Sequence, residues 1–145
     1  MKYLKACNEI FTSYTPLRIV NASANEFEVH YQVDEVYYRF VAVNALGDWT
    51  LYIDAQLYFN SEKPKPAKVI TNPSIVLSSY LKAFNLFMSA NAPTTFSFQT
   101  NNDSVRRGVY DNILRKVVSI VEGKYKYVGR LTKEYTHRYI FCKEI

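Results

Sequence analysis

The feature that most limits what this chain can become is strict alternation. From Glu26 to Val33, the residues Phe27, Val29, Tyr31 and Val33 interleave with Glu26, Glu28, His30 and Gln32. Only an extended strand, whose side chains point by turns to two faces, keeps an apolar and a polar set apart in this way. The pattern recurs. Val36 to Val43 sets Tyr38 and Phe40 against Tyr37 and Arg39. Trp49 to Phe59 sets Leu51, Ile53, Ala55, Leu57 and Phe59 against Thr50, Tyr52, Asp54, Gln56 and Tyr58. Between these two runs, Asn44 to Asp48 reads as a turn in which Gly47 is free to take a positive φ. Three consecutive half-buried strands on short turns predict an antiparallel meander. The 13 Tyr and 9 Phe suit such a sheet, because a tyrosine ring buries while its hydroxyl stays wet.

The rest of the chain changes period. Leu4, Cys7, Ile10 and Phe11 lie at helical spacing between Lys2 and Phe11, Pro16 ends that segment, and Leu17 to Val20 is weakly extended. Ser61 to Lys68, with Pro64 and Pro66 among lysines, reads as a loop. Asn72 is a suitable N-cap and Pro73 a suitable first-turn residue. Leu77, Tyr80, Leu81, Phe84, Phe87 and Met88 then form one broad apolar stripe, and Asn91-Ala92-Pro93 stops the helix. Thr94 to Thr100 is a short strand. A second long helix begins at Asn102 or Asp103, carries Val105, Val109, Ile113, Val117 and Ile120 inward, and ends at Gly123. Tyr125 to Leu131 and Thr136 to Lys143 close the chain as two strands. The order α-β-β-β-β-α-β-α-β-β predicts one α+β domain over residues 1–145.

Composition narrows the function classes. No run approaches the roughly 20 apolar residues of a membrane-spanning helix, and the start has no apolar leader, so a soluble, cytoplasmic protein is expected. Cys7 and Cys142 stand far apart, which makes neither a zinc site nor a disulfide framework. The net charge of +5 is uneven. Residues 1–100 hold 8 Lys/Arg and 8 Asp/Glu, whereas 101–145 hold 10 against 5. Such a basic end suits a solvated face, a phosphate-bearing ligand, nucleic acid or an acidic partner.

A meander followed by helix, strand, helix and a closing hairpin resembles the GNAT (N-acetyltransferase) fold. The segment Phe96 to Tyr110, FSFQTNNDSVRRGVY, resembles that family's fifth strand and following helix, and Arg106 with Tyr110 supplies an Arg-x-x-x-Tyr pattern close to that of small phage-encoded GNAT-like proteins. The resemblance covers about residues 25–145 and implies a GNAT-like mixed, mainly antiparallel sheet packed by two main helices. It also implies a splay between the fourth and fifth strands, where such enzymes hold acyl-CoA. On that basis Asn72, Ser74, Ile75, Asn102 and Arg106 correspond to the cofactor seat, and Tyr110 to the acid that protonates the departing thiolate. A helix start binds phosphate through unpaired N–H groups. Yet the stretch from Lys68 to Ser74 has no glycine where the family's phosphate loop carries it, and Pro73 removes one donor.

Other chemistry is sparse. His30 and His137 have no elbow motif and no flanking acid to orient them, and no metal site is expected. Asp34-Glu35 reads as a solvated turn; Glu28 and Asp54 could serve as bases, but nothing in the pattern selects them. Lys124, Lys126 and Arg130 fall on one strand face, with Tyr125, Tyr127 and Gly129 on the other. Three functions remain. The first is a non-catalytic GNAT-like protein that contacts a host, virion or defence component and needs no cofactor. The second is an N-acyltransferase using acetyl-CoA or another acyl-CoA. The third is nucleic-acid binding through Arg106, Arg107, Lys126, Arg130 and Arg138.

Overall fold

A computed structural model describes residues 15–52, 56–57, 72–101, 107–134 and 136–144. The expected helix over Lys2 to Phe11 and the loop over Ser61 to Lys68 lie outside them. The described chain runs β1 (Arg18–Ala22), β2 (Glu26–Val33), β3 (Val36–Ala45), β4 (Asp48–Tyr52), β5 (Gln56–Leu57), α1 (Pro73–Asn91), β6 (Thr95–Asn101), α2 (Arg107–Val121), β7 (Tyr125–Lys133) and β8 (Thr136–Lys143). It is an α+β fold.

The sheet order is β1-β2-β3-β4-β6-β8-β7, with β5 pairing β3 off that path. Every pairing is antiparallel except β4 with β6. The antiparallel neighbours need only tight turns. Val33 pairs with Val36 around Asp34 and Glu35. Ala45 pairs with Asp48 around Leu46 (φ 55°) and Gly47 (φ 91°). Two successive positive φ values match the right-handed twist of the flanking strands. The parallel pair cannot be joined by a turn, so the chain crosses over through α1.

The alternation drives the packing. Phe27, Val29 and Tyr31 of β2, Tyr38 and Phe40 of β3, Trp49 and Leu51 of β4, and Phe96 and Phe98 of β6 are all buried in one cluster. Tyr80, Phe84, Phe87 and Met88 of α1 and Ile113, Val117 and Ile120 of α2 complete it. Both helices thus share one face of the sheet. Rings interlock at edge-to-face and tilted angles: Phe87 meets Trp49 at 5.0 Å, Phe27 at 5.7 Å and Phe40 at 5.9 Å. Each buried ring contributes about 1.5–3 kcal/mol by leaving water.

Helix α1 is buried well beyond the single stripe expected of it. Ser78, Ser79, Ala83 and Asn85, off that stripe, are also inaccessible. The reason is a central position: α1 meets the sheet and α2, and the Thr15 N–H donates to Ser79 Oγ at 3.1 Å. Among the described residues no helix is long and apolar enough to cross a membrane.

Two registers depart from simple alternation. Val41 pairs with Tyr52, but Tyr38 pairs with Gln56, so the expected single strand from Trp49 to Phe59 slips by one residue between β4 and β5. Likewise Tyr127 pairs with Phe141, but Gly129 pairs with Ile140, so Val128 is an extra residue in β7. A bulge reverses the parity of everything after it. Lys126 lies across from Cys142, whereas Arg130 lies across from Tyr139 on the opposite face. The expected common face of Lys126 and Arg130 is therefore overturned.

Candidate functional site

The two parallel strands lie side by side within the sheet. Among the described residues β4 and β6 pair over five positions, from Asp48 with Thr95 to Tyr52 with Gln99. β6 also pairs with β8 as far as Asn101, and β5 pairs with β3. The ends of parallel strands, next to the start of their crossover helix, are where α/β sheets commonly receive ligands. Here a helix side chain meets that end of β4. The Tyr80 hydroxyl reaches up from α1 and donates to the Tyr52 carbonyl at 3.1 Å. Burial, and then Tyr31, hold the Tyr80 phenol well above its ordinary pKa, so it remains a donor.

The start of α1 is built differently from an ordinary cap. Asn72 sits at φ 49°, ψ 58° and its side chain caps nothing. Instead Asn72 Nδ2 donates to Asp34 Oδ2 at 2.7 Å, which ties the β2–β3 hairpin to the helix. The Ile75 and Val76 N–H groups both bond to the Asn72 carbonyl, at 3.0 and 3.2 Å. Pro73 has no N–H. A carboxylate, Asp34, already stands beside the positive end of the helix. Asp34 is therefore a structural tie as well as a turn residue. Ser74 is exposed and Ile75 packs at the edge of the core.

The other expected site residues are spread out. Arg107 and Tyr110 lie in α2, with their side chains outside the described set; Asn102 and Arg106 lie outside it altogether. Lys126 and Arg130 are exposed on opposite faces of β7. Arg138, on β8, reaches across β6 to donate to Thr50 Oγ1 at 3.1 Å. It borders a shallow depression of about 120 Å³ with Asp48, Thr50, Thr95, Ser97 and Ile140. Cys142 is a free thiol on the same face, and no group of three His, Cys, Asp or Glu is arranged to hold a metal among the described residues.

No family model, curated protein or solved structure matches this chain. Its sites must therefore be argued from geometry alone.

One arrangement escaped the sequence reading. His30 does have an orienting acid: Glu28 Oε2 bonds to His30 Nε2. The signal was present, since residues two apart on a strand share a face. Across the neighbouring strands, Arg18 and Arg39 lie directly opposite His30. That pairing depends on register between three strands and could not be read from spacing.

Proposed function

We propose that this chain is a GNAT-like domain, of the kind encoded by phages, that has given up the family's cofactor and works by protein contact in the cytoplasm of a host cell. The element order supports the kinship: a meander, a crossover helix, a strand parallel to the meander's last long strand, a second helix and a closing hairpin. The loss of cofactor rests on the start of α1, where Pro73 and the Asn72 carbonyl consume the donors and Asp34 adds negative charge. A pyrophosphate there would meet repulsion instead of free N–H groups.

The observation that carries protein contact is the outer strand β7. It is nine residues long, pairs among the described residues with β8 alone, and leaves Tyr127, Val128 and Leu131 exposed at 43%, 58% and 55%. Its Lys126, Arg130, Lys133 and bulge guard against indiscriminate strand pairing, so a partner must match these charges as well as the apolar side chains. A partner adding a strand would take up the free backbone groups and cover these side chains. The partner class this suits is a protein of the host, the virion or a defence system.

A photo-crosslinking residue at Val128 tests the reading in the producing cell. A discrete protein adduct at Val128, absent when the same residue replaces exposed Glu35, is the expected result. Equal labelling at both positions would sink it. The acyltransferase reading has its own test. Calorimetric titration with acetyl-CoA is expected to be silent at about 1 mM ligand, a concentration that reveals any affinity worth more than about 4 kcal/mol.

A further inference from the structure

The face of the sheet away from the helices carries a row of three basic side chains: Arg18 on β1, His30 on β2 and Arg39 on β3, in direct register. Directly opposed residues hold their Cβ atoms about 4.5–5.5 Å apart. Arg18 and Arg39 flank His30 from the two neighbouring strands, and so lie about 10 Å apart across β2. Arg18 is exposed and Arg39 is half-buried. Glu28 engages His30 Nε2. Arg39 has no such partner among the described residues. Its Nε is buried without a hydrogen-bond partner, and it makes no ion pair among the described residues. His30 Nδ1 is likewise buried and unpartnered. A buried N–H donor without an acceptor costs stability.

Beside this row lies a depression of about 330 Å³ lined by Pro16, Arg18, His30, Tyr31, Gln32 and Tyr37. That volume is at the lower end of small-molecule sites. We infer that this face binds a small organic oxyanion, a phosphate or carboxylate, held by the guanidinium groups of Arg18 and Arg39 with His30 between them. Guanidinium presents paired N–H donors that match both oxyanions in a bidentate fashion. Glu28 fixes the orientation of the imidazole through Nε2, and the donors to the oxyanion are the two guanidinium groups. The site lies on β1, β2 and β3, away from the start of β7, and stands whether or not the proposed function holds.

The probes are inorganic phosphate and succinate, titrated separately into the isotopically labelled full chain while the side-chain resonances of His30 and the arginines are followed. Saturable shifts with phosphate alone, or with succinate alone, assign the ligand class. Arg39→Gln should weaken that binding by roughly tenfold or more, the loss expected for a charge-assisted hydrogen bond. Arg18→Gln, at an exposed position that leaves the core intact, should weaken it in the same direction. A second readout separates a binding role from a structural one. Without ligand, Arg39→Gln should raise the melting temperature, because it removes the buried Nε–H that has no acceptor. It should also abolish the ligand-dependent rise shown by the unaltered chain. The inference is overturned if neither probe shifts these resonances by about 20 mM, well above the millimolar range of weak binding. It is equally overturned if Arg39→Gln binds as the parent does, or if it lowers the melting temperature.

Discussion

Replacing Tyr80 with Phe separates two effects that oppose each other, and pH decides which is larger. The ring stays. It keeps its contacts with Phe40 at 5.1 Å and Phe98 at 6.4 Å, so no cavity forms. What is lost is the hydroxyl that donates to the Tyr52 carbonyl. At pH 8 that should cost about 1–2 kcal/mol, the net value of one hydrogen bond plus part of the penalty for a stranded carbonyl. At high pH the balance turns. Burial raises the folded-state pKa of Tyr80 well above its ordinary value of 10.0. The unfolded chain ionises there first, so stability conferred by the neutral phenol is complete below pH 10 and drains away above it. The drain is RT ln(1 + 10^(pH−10)), about 1.4 kcal/mol at pH 11. Tyr80→Phe escapes that share, while Tyr31, also raised by burial and by Tyr38, still titrates in both proteins. The two stability curves should therefore cross between about pH 10.5 and 11.5. Urea unfolding at pH steps from 8 to 11.5, with an unchanged denaturant slope as the control, reads this directly. A deficit for Tyr80→Phe that stays constant across the range would refute the reasoning.

Two further outcomes follow from the packing and the helix start. Phe87→Ala empties the place where Phe27, Phe40 and Trp49 meet, and should cost about 3–5 kcal/mol, a drop of roughly 10 °C in melting temperature. A loss below about 1 kcal/mol would mean the ring cluster is not close-packed. Asp34→Asn keeps an acceptor for Asn72 and tolerates the positive φ of 55°, but removes the charge beside α1. It should lose about 0.3–1 kcal/mol at low salt and less at high salt. Equal losses at both salt concentrations would assign the effect to the hydrogen bond alone.

Much of the fold was legible because strand and helix impose different periods on the same side-chain alphabet. The alternation at Phe27 to Val33 marked β2 and its buried face, and the stripe from Leu77 to Met88 marked α1. What the alternation could not reveal was where it would be interrupted. The extra residue at Val128 moved Arg130 to the face opposite Lys126 and divided the basic surface that the sequence had appeared to unite. The cap at Asn72 failed for a similar reason. Its backbone took the left-handed conformation and its side chain served as a donor, through Nδ2, to Asp34, 38 residues earlier and brought in by the β2–β3 hairpin.

The sequence by itself determined where strands and helices lie and which apolar face each turns to the core, because both follow from local periodicity and the hydrophobic effect; the burial of Ser78, Ser79 and Asn85 came from the central place of α1. Tertiary structure alone decided which strands are neighbours, and with them every cross-strand meeting that carries chemistry. Glu28 beside His30 is a local consequence of a two-residue repeat. Arg18, His30 and Arg39 form a row only because three strands lie in one register, and register is fixed by turns and bulges acting across the whole sheet.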